Sequence, residues 1–150
     1  MSTDDYQQQR AGDALRRGIA YVHRHQWQQA MNALTSCLQE EPGNLDGRYY
    51  MAISQASSGR AREARRLLEQ TLQLPRLDDF HRVRFLKLLG KVSIQSSDYH
   101  LAADSLHEAF TLTGVGGAPI LNDLAQVMCK AGDFGRGFDL FFKAMEQNAS

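Results

Sequence analysis

The chain has 150 residues, enough for one ordinary domain with a real core, and its 17 basic residues balance 17 acidic ones. A formal charge of zero argues against a nucleic-acid surface, which usually carries a basic excess. Three prolines, few β-branched residues and abundant Ala, Leu, Gln, Arg and Glu favour helix over strand.

Residues 1–10 read as a polar N-terminal segment. The opening MSTDDYQQQRAGDALRRG has no apolar run after its first charges, so it is not a secretory signal. No later stretch approaches the ~18 apolar residues of a membrane span. The only cysteines, Cys37 and Cys129, are too few for a disulfide framework and read as two reduced, mostly buried thiols of a cytoplasmic protein.

From Ala11 onward a pattern of small residues recurs. Gly18, Ala30 and Cys37 come first, and Pro42 closes the unit. Ala52, Ala64 and Thr71 follow 34 residues later, with Pro75 near the unit's end. Gly90, Ala102 and Ala109 come after a further 38, and Ala125, Gly137 and Ala144 after 35. Four units therefore lie near 11–44, 45–82, 83–117 and 118–150. Close packing explains the small side chains. Two antiparallel helices that cross tightly leave no room for a branched side chain, which would cost about 1–3 kcal/mol in overpacking. Ser58-Gly59, Ser97-Asp98 and Ala131-Gly132-Asp133 mark turns between the two helices of a unit. Apolar residues follow helical spacing around them. Ala64, Leu67, Leu68 and Leu72 share a face in the second unit. In the third, Leu86, Leu89 and Ile94 belong to the first helix, and Leu101, Leu106, Ala109 and Phe110 to the second.

This pattern resembles the tetratricopeptide repeat. In the first unit RGIAY stands where the family has L-G-x2-Y, with Gly18 and Tyr21 matching and Arg17 in place of Leu. Ala30, Leu34 and Pro42 then fall in place. The third unit keeps Leu89 and Gly90 in LGKVS but loses the Tyr, and the fourth keeps Leu124 and Ala125 in LAQVM. The resemblance covers about 11–150 and implies an all-α, right-handed α-solenoid of about four helix-turn-helix units. In that arrangement Tyr21 packs near the end of the first helix, Ala30 sits where the second helix crosses it, and Pro42 stops the second helix.

Two places depart from the regular period. The third unit arrives four residues late, with the extra residues in PRLDDFHR, 75–82. Asp78 and Asp79 are natural N-caps there, so the next helix is expected to begin about a turn early. The segment reads as a longer loop or as a shaped lip beside a groove. TGVGGAPI, 113–120, has the glycines of a phosphate loop but follows a helix and lacks Gly-Lys-Ser/Thr. It reads as a flexible inter-repeat turn with Pro119 in the first turn of the next helix.

Catalytic and metal-binding constellations are not expected. His23 and His25, two apart, diverge on a helix. His100 and His107 are two turns apart, with no Cys or carboxylate to complete a metal set. No nucleophile motif appears, so neither catalytic residue nor cofactor is assigned. Arg60, Arg62, Arg65 and Arg66 lie beside Glu63 and Glu69 without interleaved aromatics, and read as a solvated face.

The resemblance implies a concave surface, lined by the first helices, that holds a partner peptide or helix. Carried over through the packing positions, the lining is Leu15, Ile19 and His23 from the first unit and Tyr49, Ile53 and Ala56 from the second. The third supplies Arg84, Lys87, Lys91 and Ile94, and the fourth Asn122, Gln126, Cys129 and Lys130. Arg84, Lys87 and Lys91 form one basic stripe by their spacing, useful when an acidic partner arrives. The expected ligand has an apolar anchor near Tyr49 and Ile53 and acidic groups near Lys87. The family's carboxylate clamp for chaperone tails needs Lys and Asn where this chain has Leu15, Ile19 and Ile53, so only its basic third-unit part is represented.

The last helix, FGRGFDLFFKAMEQNAS, is too rich in apolar residues to bury them all against one neighbour. Phe138, Phe141, Phe142 and Met145 therefore read as a surface for self-association or for capping by a partner. The expectation is a non-enzymatic adapter, scaffold or chaperone. A self-assembling structural module and a bacterial secretion or pilus-assembly chaperone are its alternatives.

Overall fold

The computed structural model describes residues 2–113 and 117–149, without the side chains of Phe141, Ala144 and 147–149. The described residues form eight helices and no strand. They are α1 (Thr3–His23), α2 (Trp27–Glu40), α3 (Leu45–Ser57), α4 (Ala61–Leu72), α5 (Asp79–Gln95), α6 (Tyr99–Thr113), α7 (Ala118–Lys130) and α8 (Phe134–Ala149). The polar N-terminal segment is continuous with α1, which opens on a capping box between Ser2 and Asp5. Asn44 caps α3 by accepting from the Gly47 N–H at 2.8 Å. Asp78 caps α5 by accepting from His81 N–H at 2.8 Å, which starts that helix early as its sequence suggests. Pro119 sits in the first turn of α7; residues 114–116 of the glycine-rich segment lie outside the described residues.

The two helices of every pair are joined by three residues, 24–26, 58–60, 96–98 and 131–133. The same backbone motif closes all four. Gln26, Arg60, Asp98 and Asp133 donate their N–H to Tyr21, Gln55, Ser93 and Met128 carbonyls at 2.7–2.9 Å. The preceding residue is left-handed in each case: His25 (φ 57°), Gly59 (87°), Ser97 (60°) and Gly132 (90°). This is the Schellman closure, which satisfies the last carbonyls of the first helix. Its four left-handed residues stand 34, 38 and 35 apart, the intervals already seen in the small residues.

The chain divides into two compact units, Met1–Thr71 and Leu72–Ser150. In the first, α1 packs against both α2 and α3. Arg10 meets Glu40 and Gly18 meets Leu34, so α1 and α2 run antiparallel. Val22, Ala30, Met31, Leu34 and Met51 make its larger core cluster, with Tyr21 and Leu67 among the half-buried residues around it. Arg48 ties α3 to α4 through a 3.1 Å bond to the Thr71 hydroxyl. In the second unit α5 packs on α6, α6 on α7 and α7 on α8. Phe85 is its largest fully buried side chain, with Leu121, Leu124, Val92 and Val127 also sealed.

The recurring small residues with described side chains are among the most deeply buried. Ala30, Cys37, Ala52, Ala64, Thr71, Ala102, Ala109 and Ala125 have no exposed surface. Gly18, Gly90 and Gly137 are buried with them. A methyl group at Gly18 would come within 2.6 Å of Leu34 Cγ, and one at Gly90 within 2.9 Å of Leu106 Cγ. The residue that presses on the glycine is therefore a leucine one turn beyond Ala30 or Ala102, rather than the alanine itself.

Candidate functional site

The basic stripe lies on α5, inside the second unit. Lys87 and Lys91 are exposed on that helix, while its Phe85, Leu86, Leu88 and Leu89 turn into the core. The packing of α5 therefore dictates which way the lysines point. They meet α7 across a cavity of about 110 Å³ lined by Lys87, Lys91, Ile94, Leu106, Asp123, Gln126, Val127 and Lys130. Five residues of the lining expected from sequence, Lys87, Lys91, Ile94, Gln126 and Lys130, are thus brought together. Three lysines face one aspartate, Asp123, which sequence reasoning did not single out. No ion pair of the described residues includes any of the three lysines. The floor is apolar, from Ile94, Leu106 and Val127.

Arg84 opens a second, wider cavity of about 480 Å³ at the start of α5, lined by Asp79, Phe80, Val83, Arg84, Lys87, Leu112 and Thr113. Lys87 borders both. Asn122 and Cys129 lie on α7 but line neither. Phe80 is 73% exposed, with its ring edge-on to His81 at 5.2 Å. It had no role in the sequence reading beyond its place in the late-arriving segment.

The groove residues expected from the first two repeats lie on α1 and α3. Leu15 and Ile53 are half-buried and pack against the core of the first unit, and Ala56 is buried. Ile19 is half-buried and His23 exposed. Tyr49 stands edge-on to Tyr50 at 5.4 Å. Arg65 of α4 pairs with Glu69 at 3.0 Å and Arg60, just before that helix, with Glu63 at 3.8 Å, as on a solvated face. Along α8, Phe134, Phe138, Phe142 and Met145 are each 55–60% exposed, and Phe141 falls outside the described side chains.

Residues 21–83 match the model of a tetratricopeptide repeat family. That stretch carries tetratricopeptide repeats. Solved structures agree over nearly its whole length. A MamA RS-1 double mutant superposes with a TM-score of 0.80 at 17% identity, covering 99% of this chain and 78% of that one. Another MamA crystal structure gives 0.77 at 16%, covering 93% and 74%. PilF of Pseudomonas aeruginosa gives 0.77 at 17%, covering 95% of this chain and 63% of its own. These identities establish the tetratricopeptide solenoid fold and nothing finer. A comparison with curated protein sequences finds no match. Tetratricopeptide repeats are generally non-catalytic protein-interaction modules. Among the described residues no helix is long and apolar enough to cross a membrane.

Proposed function

We propose that this repeat protein is an adapter, scaffold or chaperone of the cytoplasm that holds an acidic protein segment on the α5–α7 face of its second unit. The observation that carries the reading is the gathering of Lys87, Lys91 and Lys130 around one apolar-floored cavity with a single carboxylate to oppose them. Three like charges repel when alone and are relieved by an acidic ligand. Each charge-assisted hydrogen bond to a ligand carboxylate would contribute about 1.5–3 kcal/mol. A bacterial secretion or pilus-assembly chaperone is one role compatible with such a module.

The test is fluorescence anisotropy with labelled Gly/Ser host peptides carrying three Glu or three Gln. The Glu peptide is expected to bind, more weakly as salt rises. Lys87→Glu with Lys91→Glu should weaken it at least about tenfold, the loss of roughly one charged contact. Equal binding of the Glu and Gln peptides would remove the reading.

The exposed row on α8 favours a second role, self-association through that helix. Phe134, Phe138, Phe142 and Met145 recur at helical spacing, and exposed clusters of this kind mark contact surfaces. Light scattering over a concentration series decides it. A dimer that Phe142→Glu dissociates supports this role, and a wild type that stays monomeric at high concentration refutes it.

A further inference from the structure

We propose that the cavity at the start of α5 is a second subsite, which takes one apolar side chain of the same acidic segment. The inference rests on the acidic-segment reading and adds the chemistry of the partner's anchor residue.

The subsite exists because α5 begins early. The helix starts eleven residues before Gly90, whereas α3 starts seven before the equivalent Ala52. The additional turn, 79–82, carries Phe80 beyond the body of the unit, where it is 73% exposed. Below it, Val83 and Leu112 pack partly against the core cluster and leave their remaining surface to the cavity. A large exposed aromatic over two half-buried aliphatics is a poor arrangement in water, and an apolar side chain seated among them would improve it. The rest of the rim is Asp79, Arg84, Lys87 and Thr113. Lys87 borders both cavities, so its ammonium faces an acidic neighbour of the anchor from either one.

Geometry fixes the order within the ligand. Val83 and Lys91 are separated by about 12 Å along α5, at about 1.5 Å per residue. An extended peptide covers that distance in about four residues. The fitting segment therefore has a Phe- or Leu-sized anchor with acidic residues two to four positions away. The early turn that supplies Phe80 makes the anchor a requirement of this chain's own surface.

The test uses the same Glu host peptides with Phe or Ala at the anchor position, three residues from the nearest Glu, and Gln versions of both. Wild type should bind the Phe-Glu peptide about tenfold more tightly than the Ala-Glu peptide, equivalent to about 1.4 kcal/mol. Phe80→Ser, at an exposed position that tolerates polarity, and Leu112→Ser should each erase that preference. Methyl resonances of Val83 and Leu112 should shift with the Phe peptide only. If wild type binds Glu peptides over Gln but treats Phe and Ala alike, the subsite is refuted and the acidic reading stands. A Phe preference that survives both substitutions also refutes it. If Glu and Gln peptides are indistinguishable, both fall together.

Discussion

Four residues in the left-handed conformation close the helix pairs, and only two of them are glycine. A side chain there is strained, so Gly59→Ala and Gly132→Ala should each cost about 1 kcal/mol, whereas Ser97→Gly should stabilise by a similar amount. Urea unfolding of the three variants checks both signs. The two thiols should differ as sharply. Cys37 has no exposed surface, and its pKa is pushed up, first by burial and then by Glu41 and Asp46. Cys129 is half-buried. Iodoacetamide at pH 8 should therefore label Cys129 well before Cys37, as read by peptide mass spectrometry. The raised thiol also has a pH signature. Its contribution to stability is complete below the ordinary thiol pKa and declines as pH rises through the higher folded value. Cys37→Ala should therefore lose less stability than the wild type between about pH 8 and 10.

At the scale of helices, the pairs were readable because their causes are local. Small residues at fixed intervals, capping aspartates and Gly-containing turns are all written within a few positions of the feature they make. Asp98 and Asp133 combine two tasks. Each donates its N–H to the Schellman closure, and its carboxylate accepts from an N–H of the following helix, Leu101 at 3.2 Å and Arg136 at 3.4 Å. Asp98→Ala should cost about 1 kcal/mol and the isosteric Asp98→Asn much less, measured by thermal unfolding. The turn at His25 was not legible, since nothing local distinguishes a histidine that must turn left-handed from one on a helix. Helix contact is more demanding. Gly18→Val should cost about 1–3 kcal/mol through collision with Leu34, and Leu34→Ala in the same chain should recover part of it. A double-mutant cycle with no coupling would mean that the glycine is small for some other reason.

For the whole molecule, two compact units imply that damage is felt first where it is made. Leu34→Ala removes a fully buried side chain and should cost about 2–5 kcal/mol. Hydrogen exchange should show lost protection concentrated in 1–71 for Leu34→Ala, and in 72–150 for Leu121→Ala. The candidate site marks how far sequence reading reaches. Lys87 and Lys91 declared themselves because residues four apart on one helix share a face. Asp123 and Leu112 did not, because only packing brings α7 and α6 beside α5. Phe80 was visible only as part of a segment out of period. That the segment lengthens a helix, and so lifts an aromatic ring over a cavity, depends on where Val83 and Leu112 come to rest.

The invariance of the three-residue joints has an evolutionary side. Backbone hydrogen bonds make most of each joint, so a changed side chain costs it about 1 kcal/mol, but an inserted or deleted residue would break the closure. Length change is consequently channelled to the opposite ends of the hairpins, where the connections 41–44 and 73–78 already differ. The chain can be edited there over generations without losing its architecture. The extra helical turn before Val83 falls beside the proposed binding surface, so a change of length there would also change what that surface can hold.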